Sequence, residues 1–147
     1  MTDAWRPSAE TPSLIALWHA CWAVAMSITA FAAQTFAQLP DTVLAALLLM
    51  ALPGVAGVSL MVRDAIGLRF GLMGGWLMAS TAAAGLTGGA TGALPGLLVM
   101  PLAAGVVLDH AKIGDDRLTR IGQASLVLPL ISGLISTLLN GATAQAP

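Results

Sequence analysis

A chain of 147 residues that is 57% hydrophobic and 9% charged, with mean hydropathy +0.87, lies far from the roughly 25% charge of an ordinary soluble domain. A net charge of -1 speaks against a nucleic-acid partner, which selects basic faces. The single cysteine, Cys21, excludes an internal disulfide and any multi-cysteine metal site. The composition therefore predicts an all-α, polytopic integral membrane helix bundle with the lipid bilayer as its first partner.

The first twelve residues, MTDAWRPSAETP, mix charges and hold two prolines, which reads as a solvated tail rather than a mitochondrial presequence. A crossing needs about 20 mostly apolar residues, and about five segments come close to that requirement. The first spans 13–37 and stops at Gln38-Leu39-Pro40-Asp41. The second spans 42–62, with Asp41-Thr42 as the expected N-cap and Pro53-Gly54 as a kink in its middle. The third covers 68–86, the fourth 93–108 and the fifth 118–139, followed by a flexible tail over 140–147. The fourth is short, because about 16 residues give only about 24 Å of helix. Ala142, Ala144 and Ala146 form an A-x-A pattern in the tail, resembling a signal-peptidase site.

The basic residues supply orientation, since they favour cytoplasmic loops. Five crossings with the N-terminus inside put Arg6, Arg63, Arg69, Lys112, Arg117 and Arg120 all on the cytoplasmic side. The two outer loops, near 38–41 and 87–93, then carry no basic residue, and the C-terminus lies outside. The expected location is a bacterial inner membrane, crossed several times.

Gly67, Gly71 and Gly75 recur every four residues and Ala79 and Ala83 continue the series, so the third span carries a stripe of small residues on one face. Such a stripe packs helices, either inside one bundle, the plainer reading, or across a homodimer. Ser27, Thr29, Ser125, Ser132, Ser136 and Thr137 read as hydroxyls that bond their own or a neighbouring helix. Gln34 and Gln38 point toward the same outer side as the loop after the third span.

Chemistry-bearing groups are few. Trp18, His19, Cys21 and Trp22 fit an interfacial aromatic belt with a snorkelling histidine, and His19 and Cys21 fall on different helix faces, so they share no metal site. Asp109-His110 closes the fourth span, where cytoplasmic water is within reach. Asp115 and Asp116 suit the start of the fifth helix. Asp64 beside Arg63 reads as an interfacial pair. No serine-histidine-acid set, Walker-type loop or HExxH is present, so the sequence reads as non-enzymatic, without catalytic or metal residues.

Residues 86–101, LTGGATGALPGLLVMP, resemble the outer loop between the third and fourth spans of the membrane input region of RegB/PrrB-type sensor histidine kinases. The family's GGxxNPF loop corresponds to Gly88-Gly89-Ala90-Thr91-Gly92-Ala93-Leu94, with Pro101 at the spacing of a common family proline. Gly92, Ala93 and Leu94 stand where the family has Asn, Pro and Phe, and a proline follows at Pro95. The resemblance implies a two-component signal-input module that senses a membrane-soluble ligand such as a quinone. Gly88, Gly89, Leu94, Pro101 and Gln34 are the ligand-binding candidates. It also implies an input region without the kinase core, because the chain ends after five expected spans. Two other readings stand beside it: a small non-enzymatic subunit or assembly factor docked on a larger membrane protein, and a half-size transporter.

Overall fold

The computed structural model describes residues 11–63, 65–88, 92, 94–109, 116–127, 131–132, 134–135 and 138–139. Among them the regular structure is entirely helical: α1 (Thr11–Ala32), α2 (Asp41–Gly57), α3 (Ile66–Thr87), α4 (Met100–Asp109) and α5 (Arg117–Ser125). Described positions after α5, such as Ile131, Ser132, Leu138 and Leu139, are also helical. Two helical stretches, Leu14–Ala37 and Asp41–Met61, are long and apolar enough to cross a membrane, and Pro95–Asp109 is a shorter apolar one. The outer surface agrees with that reading. Phe31, Phe36, Val55, Met78 and Leu138 stand exposed around the bundle, a pattern that is costly in water and ordinary in lipid.

Proline and glycine set the element ends. α1 runs into a π-helical turn, Ala33–Ala37, that closes on Gln38 in the left-handed region at φ 48°. Pro40 follows, and its carbonyl accepts the amides of Val43 at 2.9 Å and Leu44 at 3.2 Å. Pro40 rather than the expected Asp41-Thr42 is therefore the N-cap residue, and no side chain caps α2. Asp41 lies inside the first turn, where its charge meets the positive end of the helix. α3 closes on Gly88 at φ 82°, a conformation that glycine adopts without a Cβ penalty.

Helix pairing rests on close backbone approach. A Cβ on Gly54 would lie 2.8 Å from the His19 carbonyl oxygen, and one on Gly57 would lie 2.1 Å from His19 Cδ2. These two glycines of α2, not the stripe on α3, let α1 settle against its neighbour. α4 and α5 pair reciprocally: a Cβ on Gly105 would sit 2.6 Å from Leu118 O, and one on Gly122 would sit 2.7 Å from Pro101 O. Around these contacts Ile15, Met50, Leu60, Met73, Trp76 and Leu108 form the dry centre.

The stripe itself divides. Ala83 is fully buried and Ala79 nearly so, whereas a Cβ added at Gly67, Gly71 or Gly75 would meet nothing within 4 Å. Internal packing thus describes the alanine end alone. The glycines face outward because α3 turns a different side to the core, the one bearing Leu72, Met73, Trp76 and Ser80. Arg69 belongs to that inner side as well. Expected in a loop, it lies in the first turn of α3, 3% exposed, and its guanidinium Nη1 donates to the Leu108 carbonyl at the end of α4.

Carbonyls close to Pro101 and Pro53 find partners on neighbouring helices. Pro101 cannot donate to Leu97 O, and Ser80 Oγ of α3 donates to that oxygen at 3.0 Å. Pro53 sits inside α2, as expected, and Trp22 Nε1 donates at 2.8 Å to Met50 O in the turn it interrupts.

Gly57→Ala is expected to destabilise the bundle by about 1–3 kcal/mol, since its methyl overlaps the His19 ring. Gly71→Ala should change stability by no more than about 0.5 kcal/mol. Thermal unfolding in detergent checks both, and a Gly57→Ala/His19→Ala pair should recover part of the loss.

Candidate functional site

Three features concentrate chemistry or space. The first is an aromatic cluster around His19. Successive turns of α1 place Trp18, His19 and Trp22 toward α2 and α3, and Trp76 of α3 meets them. Trp18 stands edge-on to His19 at 4.9 Å between centroids, and Trp76 lies 5.6 Å from both Trp18 and Trp22. His19 is fully buried, so it does not snorkel to the interface. Its ring is held between a hydrogen bond to its own helix and one to the next. Nδ1 lies 2.8 Å from the Ile15 carbonyl and so donates, which leaves Nε2 to accept Trp76 Nε1–H at 3.3 Å. Cys21 is exposed, away from this cluster.

The second feature joins the ends of α4 and α5. Asp109 is half-buried and directed at the first turn of α5. Its Oδ1 accepts Leu118 N at 3.3 Å, and its Oδ2 accepts Thr119 N at 2.6 Å and Thr119 Oγ1 at 2.7 Å. It caps a helix other than its own, supplying acceptors to amides that lack intrahelical partners. Asp116, at the N-cap position, makes no side-chain cap bond.

The third feature is a groove of about 500 Å³ between α2 and α3. Leu52, Pro53 and Ala56 form one wall and Leu68, Gly71 and Gly75 the other, with Met78 and Ala79 at one end. No lining side chain has a polar group. Two smaller grooves lie elsewhere, one at Ile15, Trp18 and Val107, the other at Leu77, Thr81, Gly85 and Ser132.

The ligand-binding candidates do not converge on any of these three grooves. Gly88 is the C-cap of α3, Leu94 packs against the core, Pro101 is fully buried beside Gly122, and Gln34 is exposed on the π-helical turn. Gly89 lies outside the described residues, as do Asp64, Ala90, Thr91, Ala93, His110, Lys112, Asp115, Ser136, Thr137, residues 1–10 of the N-terminal tail and the C-terminal tail, whereas Thr11 and Pro12, expected in the tail, open α1. The hydroxyls act as connectors. Ser27 donates to Ala23 O and Thr29 to Ala25 O, within α1, and Ser125 to Ile121 O, within α5, while Ser132 donates across to Thr81 O of α3 at 3.1 Å.

No protein-family model, curated protein or solved structure matches the chain. The likeness of residues 86–101 to a sensor-kinase loop stands on its motif alone.

Two participants escaped the sequence reading. Gly57 carried a usable signal, its three-residue spacing from Gly54 beside a proline, and Trp76 carried none, since a lone tryptophan in a glycine-rich helix does not announce a partner on another span. Asp109→Ala is expected to cost about 1–2 kcal/mol by stripping the α5 cap, and Asp116→Ala close to nothing. Chemical unfolding of the two variants side by side reads the difference.

Proposed function

We propose that the chain is a membrane signal-input module that takes an apolar molecule from the bilayer into the groove between α2 and α3. The observation that carries this reading is the groove itself: about 500 Å³, within the size range of small-molecule sites, and lined by side chains without a single polar group. Such a lining suits an acyl or prenyl chain. A quinone would lay its tail there, since its ring carbonyls would find no side-chain donor. The resemblance of the 86–101 loop supports a sensory role, and the arrangement proposed for the whole chain is five crossings, N-terminus inside, in a bacterial inner membrane. Reporter fusions in the loops near 38–41 and 112–115 test that arrangement, with the first expected outside and the second inside.

A second reading draws on the same face. Gly67, Gly71 and Gly75 are open to approach, and a larger membrane protein or a second copy of this chain would pack a helix against them. Gly75→Leu separates the two by filling the groove. Loss of a co-purifying lipid or quinone from the purified chain, with its oligomeric state unchanged, supports the ligand reading. Loss of a stoichiometric protein partner from native membranes supports docking. If wild-type protein extracted with mild detergent carries no apolar molecule beyond bulk lipid, the ligand reading is wrong.

A further inference from the structure

The His19 ring uses both of its nitrogens. Nδ1–H is committed to Ile15 O at 2.8 Å and the Nε2 lone pair to the Trp76 indole N–H at 3.3 Å. A second proton has one place to go, Nε2, and there it would face a donor. Indole nitrogen offers no lone pair in return, so the imidazolium cannot keep this contact. Nor can the ring readily turn toward another acceptor. Gly57 stands so close that even a methyl group there would lie 2.1 Å from Cδ2.

The neighbours offer the cation no compensating charge. On α1 the ring meets Trp18, and on α2 it meets Gly57. On α3 it meets Trp76, and the charged residue two turns earlier on that inner side is Arg69, itself a cation held by Leu108 O. The carboxylate of Asp109 at the end of α4 is occupied by Leu118 and Thr119. Among the described residues no carboxylate touches the imidazole.

We propose that the His19–Trp76 contact is a proton-sensitive joint between α1 and α3: a proton arriving at Nε2 releases the Trp76 indole and loosens α3 from α1. The joint is independent of whether the groove takes a ligand, and its readout needs none.

The test is tryptophan emission of the full chain in lipid nanodiscs, titrated from about pH 8 to about pH 4, a range that brackets the histidine charge change. A His110→Gln background leaves His19 as the sole histidine, because the chain has two. A reversible one-proton change in emission is expected, and His19→Gln should abolish it. Trp76→Phe removes the N–H that favours neutral His19, so protonation becomes easier. With the titration then followed by the histidine ring resonances in NMR, its midpoint should rise by about 0.5–1 pH unit relative to the parent. The variants are compared at equal helicity by circular dichroism, and the parent against Trp76→Phe decides the matter if His19→Gln does not fold. A flat titration of the parent, a titration that persists in His19→Gln, or a midpoint that does not move in Trp76→Phe overturns the proposal.

Discussion

The His19 ring lies against the bare backbone of Gly57, and most of the bundle is arranged around that contact. In lipid there is no hydrophobic preference for one apolar face over another, so helices choose partners through close packing and hydrogen bonds. Gly54 and Gly57 give α1 a place where both backbones approach without an intervening Cβ. Once α1 is seated, His19 is carried to Trp76 and Trp22 to the Met50 carbonyl, which fixes α3 and the middle of α2 relative to it. Enlarging either glycine would separate the helices and break the polar contacts together.

The second half of the chain repeats the device with different residues. Gly105 and Gly122 each admit the opposite backbone, so α4 and α5 form a hairpin with little room to slide. Asp109 then closes one end of it by capping α5. The hairpin meets α3 through Arg69 at one end and Ser80 farther along, and Ser132, beyond α5 in the chain, meets it as well. α3 is thus common to both halves, yet its glycine side remains outside both.

Helical segments and the proline within α2 were readable, because apolar length and proline report directly on backbone conformation. Facing was not readable. An amphipathic soluble helix advertises its inner side through periodic polarity, but Gly71 and Trp76 both sit in a helix whose inner and outer faces are apolar, and nothing local says which one meets another helix. The regular Gly67-Gly71-Gly75 spacing attracted the packing assignment, while the working pair, Gly54 and Gly57, was masked by the adjoining proline. Arg69 and His19 were placed near water for the same reason. Their polarity argued for an interface, and only the tertiary acceptors, Leu108 O for one and the paired Ile15 O and Trp76 N–H for the other, show how the interior accommodates them. The loop at 86–101 showed the converse limit, since its motif suggested a binding role while the described groove formed between two other elements.

The Ser80 hydroxyl on Leu97 O has a consequence for how the chain tolerates change. Pro101 leaves that oxygen without its usual donor, so the acceptor acts as a directional mark that only a side chain at one height and one azimuth on α3 can reach. Inserting or deleting one residue before Ser80 would swing the hydroxyl by about 100° around the helix axis. The hydropathy of the chain would barely alter, and the oxygen would keep only the Met100 amide that it accepts within its own turn. Length variation within α3 is therefore constrained in direction as well as in height, since a whole added turn would restore the azimuth and still shift the hydroxyl by about 5.4 Å along the axis, a restriction that apolar content by itself would never impose.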